Sequence, residues 1–268
     1  MTTLISSAET LLGSPLTGAK RLHGGDLSEV LEAQLPDGRS VVIKGGPNPR
    51  AEADMLRSLK AAGTPTPDVV AVNDTVLVLT KCDDGGDLAR SWKSLAAALT
   101  TVHSTHGDTY GWLEDYAFGA VPIPNTPSDN WPNFWAQNRL LCHEGHVPTA
   151  LMHRIEALCG RLASLVPETP SPSLLHGDLW SGNILCSQGV VTGLIDPACY
   201  HGHGEVDVAM LCLFSTPGDA FWAHYARDEL GFSERQAIYQ LWPALVHLRL
   251  FGSGYAGLVE RCLAQVGA

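Results

Sequence analysis

The sequence predicts an α+β protein of two lobes, a small antiparallel sheet with one helix followed by a larger, mostly helical part. Three observations carry this. Apolar, β-branched runs separated by turn residues fill the chain as far as Thr80. A polar, glycine-rich stretch, Lys81-Cys82-Asp83-Asp84-Gly85-Gly86-Asp87, then interrupts them. Beyond it the apolar residues recur with helical spacing, as in Leu95, Ala98, Leu99 and Val102. The boundary is therefore set in the linker, with an N-terminal lobe over residues 1–82 and a C-terminal lobe over 83–268.

In chain order, residues 1–13 fit a short helix with Leu4, Ala8, Leu11 and Leu12 near one face. Residues 19–22 and 29–35 fit two strands joined through Gly24-Gly25, since paired glycines accept the positive φ of tight hairpins. Pro36-Asp37-Gly38-Arg39 is a second turn, leading into the strand Ser40-Val41-Val42-Ile43-Lys44. From Ala51 to Ala62 the period becomes helical, and Glu52, Met55, Leu56 and Leu59 share a face. A carboxylate on a buried stripe needs a partner, and Lys44 at the end of the preceding strand is the natural one. A further hairpin is expected over 69–72 and 76–80 around Asn73-Asp74.

In the second lobe, Leu88 to His103 is a helix, 107–132 a long irregular connection, and 131–142 and 149–165 further helices. Residues 206–214 and 220–230 also fit helices, and Ser233-Glu234-Arg235-Gln236 has the form of a capping box opening another. Pro243 is expected to kink or split that last helix.

The bulk properties narrow the chemistry. The chain has 268 residues, 45% hydrophobic and 17% charged, as ordinary globular proteins do. A formal net charge of −11 argues against nucleic acid as partner, because binding a phosphate backbone needs an excess of Lys and Arg. Seven scattered cysteines with no CxxC suggest a reducing compartment without a disulfide framework or zinc cage. The N-terminus lacks a signal-peptide pattern, and no window is apolar for long enough to span a membrane, so a cytoplasmic location is expected. Neither His143-Glu144-Gly145-His146 nor His201-Gly202-His203 has the spacing of a transition-metal site, and no GxSxG elbow supplies a serine nucleophile.

The densest chemistry lies in Leu174-Leu175-His176-Gly177-Asp178-Leu179-Trp180-Ser181-Gly182-Asn183-Ile184-Leu185, followed by Leu194-Ile195-Asp196-Pro197. An Asp, an Asn five residues later and a second Asp suit phosphoryl transfer from a nucleotide. The first Asp can orient a hydroxyl, while the Asn and the second Asp hold Mg²⁺. With a strand-borne lysine and a glycine turn upstream, the layout is that of a two-lobed kinase.

The block resembles the aminoglycoside phosphotransferase and choline kinase branch of the protein-kinase-like fold, and His176-Gly177-Asp178-Leu179-Trp180-Ser181-Gly182-Asn183 is similar to the signature of the fructosamine kinase (ketosamine-3-kinase) family. Gly24-Gly25-Asp26-Leu27-Ser28, Leu99 to His103, Tyr110-Gly111-Trp112 and the segment from Tyr200 to Met210 extend the resemblance over nearly the whole chain. It departs at Asp26-Leu27-Ser28, where the family commonly has isoleucine-asparagine.

The resemblance implies ATP-dependent phosphorylation of a sugar hydroxyl on a small-molecule or protein-bound ketosamine, a deglycation activity. Asp178 would be the catalytic acid–base group, and Asn183 and Asp196 would bind Mg²⁺. Lys44, held by Glu52, would bind the phosphates of ATP with Gly24, Gly25 and Ser28, the linker at Lys81 and Cys82 would face adenine, and Trp180 would line the sugar pocket. The alternative is an aminoglycoside or other small-alcohol phosphotransferase with the same catalytic set. A protein kinase is disfavoured because ten residues between Asp196 and Asp207 leave no room for an activation segment.

Overall fold

A computed structural model describes residues 2–22 and 29–268. The chain forms two compact units, the first built from residues 1–98 and 182–197 and the second from 99–181 and 198–268. The sequence-derived boundary at 82/83 falls inside the first unit. The elements in the first part of the chain are α1 (Thr2–Leu12), β1 (Thr17–Arg21), β2 (Val30–Gln34), β3 (Ser40–Gly45), α2 (Pro49–Ala61), β4 (Val69–Val72), β5 (Val76–Thr80) and α3 (Leu88–His103). There follow β6 (Tyr116–Phe118), β7 (Val121–Ile123), α4 (Trp131–Trp135), α5 (Thr149–Cys159), α6 (Leu162–Leu165) and β8 (Ser173–Leu175). The chain ends with β9 (Ile184–Ser187), β10 (Val190–Leu194), β11 (Tyr200–Gly202), α7 (Glu205–Phe214), α8 (Asp219–Trp222), α9 (Phe232–Phe251) and α10 (Ala256–Gln265).

The first unit is organised by a five-stranded antiparallel sheet in the order β1-β2-β3-β5-β4. Alternation along β5 sends Val76 and Val78 to a core with α1 residue Ala8, and Leu77 and Leu79 to a core with α2 residues Ala53 and Leu56. A helix on each face explains why β5 is apolar at successive positions rather than at every second one. The same alternation in β3 puts Val41 and Ile43 on the α1 side, so Val42 and Lys44 face α2. Asn48 caps α2, its side-chain oxygen accepting from Ala51 N–H at 3.3 Å, and Pro49 occupies the first helical position.

The second unit has an aromatic core of Trp131, Phe134, Trp135, Tyr200, Tyr239 and Trp242. Arg139 is wholly buried in it, its guanidinium 4.0 Å from the Tyr200 ring centre and its NH groups donating to Pro124 O and Asn125 Oδ1. Several expectations are corrected here. The helix expected over 131–142 is α-helical only to Trp135, then widens to a π-helix over Ala136–Leu140 and tightens to a 3₁₀ turn over Leu141–His143. The helix expected over 149–165 breaks at Gly160-Arg161, and the irregular 107–132 contains the β6–β7 hairpin.

Residues 220–230 do not form one helix. Arg235 draws the carbonyls of Asp228 and Leu230 toward its guanidinium, at 2.9 and 2.6 Å, while pairing with Glu205 at 2.7 Å. No capping box forms at Ser233, because α9 already starts at Phe232 behind Gly231, whose φ is +71°. Pro243 does not split α9, which runs unbroken from Phe232 to Phe251. Its neighbours Leu241, Trp242, Ala244 and Leu245 are all buried, and that packing outweighs the one hydrogen bond a proline forfeits.

Candidate active site

In the first unit, Lys44 ends up nearly buried between two carboxylates. Its Nζ lies 2.6 Å from Glu52 Oε1 and 2.6 Å from Asp196 Oδ1. Glu52 stands in the first turn of α2 on the stripe facing the sheet, which is why the alternation of β3 delivers Lys44 to it. Burial works against the lysine charge, but Glu52 and Asp196 together outweigh it and hold the ammonium above its ordinary pKa. For Glu52, burial raises the pKa, Lys44 pulls it down, and the Asp196 charge pushes it up again, with a net rise.

Asp196 and Asn183 are brought to one end of the β9–β10 hairpin. The strands pair antiparallel with Ile184 opposite Leu194, so the residues just outside them meet, and Ile195 N–H donates to Asn183 O at 3.0 Å. Asp196 has φ +55°, a left-handed conformation that Asp tolerates better than most residues. The hairpin is fastened to the rest of the unit by Gly86 N–H to Cys186 O (2.7 Å), Val191 N–H to Ser94 Oγ (3.0 Å), Thr192 Oγ1 to Asp83 O (2.5 Å) and Leu194 N–H to Pro65 O (2.8 Å). A Cβ on Gly86 would lie 2.6 Å from Cys186 O, so this approach needs glycine.

The linker residues are placed differently. Lys81 Nζ reaches Glu32 Oε1 at 2.8 Å, and Glu32, which also meets Lys20 at 3.2 Å, is drawn below the ordinary carboxylate range chiefly by Lys81. Cys82 packs beside Gly193. Gly24, Gly25 and Ser28 lie outside the described residues.

In the second unit, the loop carrying Asp178 is held by its backbone. The fully buried Asp207, in the first turn of α7, accepts from His176 N–H at 2.8 Å through one oxygen and from Gly177 N–H at 2.9 Å through the other. The first oxygen also meets His103 Nε2 at 3.0 Å, and Tyr225 Oη lies 2.9 Å from His103 Nδ1. A carboxylate only accepts here, so His103 donates through Nε2. Burial alone would raise the Asp207 pKa, but the hydrogen bond from His103, the neighbouring histidines and Gly177 N–H bring it below the ordinary value. Gly177 has φ +81°, and a Cβ there would fall 2.0 Å from Ala198 O. His176 is itself buried, its Nδ1 taking Asp178 N–H at 3.3 Å. Trp180, two residues past Asp178, is 40% exposed.

Among the sequence-derived candidates, Lys44, Glu52 and Asp196 are thus in direct contact, with Asn183 beside Ile195 in the same hairpin. Lys81 belongs to a separate ion pair. From sequence, Asp207 reads as a structural anchor at the start of a helix, while His103 enters only through the family pattern and Tyr225 not at all. The signal available for His103 was its place at the end of a helix stripe, which does not reveal a carboxylate 104 residues away.

Known proteins resemble the chain along most of its length. Residues 4–268 match the family profile described as Fructosamine kinase. A Synechocystis protein named a probable ketoamine kinase is 36% identical over 203 residues, 70% of this chain and 66% of that protein. A crystal structure from Thermobifida fusca, assigned as a fructosamine-3-kinase, is similar with a TM-score of 0.88 and 27% identity over 99% of both chains. The aminoglycoside phosphotransferase APH(4)-Ia, at 16% identity over 100% of this chain and 97% of its own, has a TM-score of 0.69 and shares the kinase-like fold. A family match over almost the entire length makes this chain a member of the fructosamine kinase family, a family of phosphotransferases.

Proposed function

We propose that the protein transfers the γ-phosphoryl group of ATP to a sugar hydroxyl, the 3-hydroxyl, of a ketosamine, free or protein-bound. The observation that carries this is the placement of Lys44 Nζ 2.6 Å from both Glu52 and Asp196, in the same unit as Asn183. The donor set fits a magnesium ion carried on phosphates. One carboxylate and one amide oxygen, from Asp196 and Asn183, are the hard oxygen ligands such an ion takes alongside phosphate and water.

When bound, Mg-ATP supplies the transferable phosphoryl group. Lys44 sets a fixed positive charge against the phosphate oxygens, and Glu52 keeps that charge in place. Asp178 takes up the proton of the acceptor hydroxyl, and Asp207 positions it by tying down the backbone of His176 and Gly177. Gly24, Gly25 and Ser28 add backbone contacts to the phosphates, Lys81 and Cys82 offer main-chain groups to adenine, and Trp180 covers one face of the sugar. All seven cysteines are free thiols, which supports a reducing, cytoplasmic setting.

The test is ADP release from Mg-ATP with purified protein and a panel of fructosyl-lysine, ribulosyl-lysine and aminoglycosides. Turnover with the ketosamines is expected. Turnover with the aminoglycosides alone would replace the acceptor assignment while leaving phosphoryl transfer in place.

A further inference from the structure

Seven large apolar side chains stand exposed among the described residues, and three of them, Trp180, Phe214 and Phe251, belong to one ladder of ring contacts in the second unit. Trp180 meets Phe214, the last residue of α7, edge-on with centroids 6.5 Å apart. Phe214 lies 5.1 Å from His247 of α9, and His247 in turn lies 5.5 Å from Phe251 and 5.1 Å from Tyr255. The Phe251 and Tyr255 rings are 5.7 Å apart and close the group. Exposed aromatics gathered in this way mark a binding surface more than singly scattered ones do.

His247 gives the group a polarity. Its Nδ1 is 2.7 Å from the carbonyl of Pro243, which only accepts, so the proton sits on Nδ1 and Nε2 presents a lone pair. Burial holds the ring below its ordinary pKa and so keeps it neutral at pH 7. Ring faces carry negative potential, and together with one bare nitrogen acceptor they suit a cation that bears N–H bonds. In a ketosamine the nitrogen joining sugar to carrier is an alkylammonium at neutral pH. Trp180 lies about 7 Å of chain from Asp178, which joins the ladder to the loop that handles the hydroxyl.

We propose that Phe214, His247, Phe251 and Tyr255 form the subsite for the acceptor's ammonium group and the alkyl chain beyond it, with Trp180 linking this subsite to the sugar end. The inference rests on the ketosamine reading above and deepens it. The rings attract the cation, His247 Nε2 accepts one of its N–H bonds, and a neutral nitrogen on the same sugar gains neither.

The experiment compares a ketosamine of lysine with its N-acyl analogue, which has the same sugar and an uncharged amide nitrogen, at saturating Mg-ATP. The wild-type KM is expected to be about three- to thirtyfold lower for the charged acceptor. Phe251→Ala and His247→Phe should each raise that KM about three- to tenfold, leave kcat and the KM for ATP unchanged, and raise the KM of the neutral analogue by less. Leu113→Ala, at an exposed apolar residue outside the ladder, should change nothing. Phe251 is 46% exposed, so its variant should melt with the wild type, and it decides the matter should His247→Phe prove unstable. Equal KM values for the two acceptors, or variants that raise both alike, would overturn the subsite and leave ketosamine phosphorylation standing. Absence of turnover with every ketosamine would overturn both.

Discussion

Glu52 and Asp207 occupy matching places in the two units. Each is a buried carboxylate in the first turn of a helix, where the helix dipole favours negative charge. Their electrostatics nevertheless diverge. Asp207 receives two backbone N–H groups and a histidine, and its pKa falls. Glu52 has one strong partner, Lys44, which it shares with Asp196, and its pKa rises. A carboxylate surrounded by donors fixes a backbone, whereas one that shares a cation with a second carboxylate holds a side-chain charge in place. The first arrangement ties down a loop, and the second is the one proposed to meet the phosphates.

Substitutions that separate charge from shape give the sharpest contrast. Asp196→Asn and Asp178→Asn are expected to lower kcat at least ~10²–10⁴-fold with little change in melting, as measured by ADP release and calorimetry. A normal rate in either would remove that residue from the chemistry. Asp207→Ala leaves two loop N–H groups without their acceptor and should cost about 3–5 kcal/mol, a fall of roughly 6–20 °C in Tm. Glu52→Gln should lose less stability and instead raise the KM for ATP. A Glu52 variant that melts as early as the Asp207 one would erase the distinction between the two sites.

Acid should act on buried histidines of the second unit. His143 and His203, both in the second unit, are depressed from 6.5 to about 3, chiefly by burial. Tyr239 receives Trp131 Nε1–H at 3.0 Å and lies 2.9 Å from His203 Nδ1, so its own hydroxyl proton goes to that nitrogen. Between pH 6.5 and about 3 the unfolded chain therefore binds protons that the folded chain refuses. Stability should fall with falling pH by about 1.4 kcal/mol per unit for each of these histidines, and His203→Gln should lower the slope by that amount in denaturant titrations at pH 4–6. Asp207, with its lowered pKa, adds a further loss only below the ordinary aspartate range. Lys44 acts at the other end: its raised pKa contributes stability that is complete below pH 10.5 and is lost as pH climbs toward the folded value. The smallest expected effect is that of Tyr225→Phe, which removes one hydrogen bond to His103 and should cost about 0.5–1.5 kcal/mol with kcat nearly unchanged.

The first unit was the more legible of the two from sequence. Local periodicity sufficed to pair Lys44 with Glu52, because strand alternation and helix stripe each assign a face and the two elements are adjacent in the chain. The contact between Lys44 and Asp196 was not available in that way, since it spans 152 residues and depends on where a distant hairpin docks. In the second unit, the helix expected over 220–230 failed because Arg235 captures carbonyls that a helix would need, a competition no local propensity records. The partners of Asp207 were hidden for a related reason, as two of them are backbone amides and backbone leaves no letter in the sequence. Pro243 shows the converse: a strong local breaker overruled by tertiary packing.

The hairpin of residues 184–194 bears on how the molecule is made. Synthesis delivers the sheet, α1 and α2 early, yet the first unit stays incomplete until residues 182–197 emerge. Until then Pro65 O, Asp83 O, Gly86 N–H and Ser94 Oγ lack the hydrogen-bond partners that the hairpin brings. Closing so long a loop is the kind of step that slows folding. Nascent chains arrested before Gly182 should therefore carry Lys44 and Glu52 but neither Asn183 nor Asp196, so the last structural closure of this unit and the arrival of both proposed metal ligands are a single event.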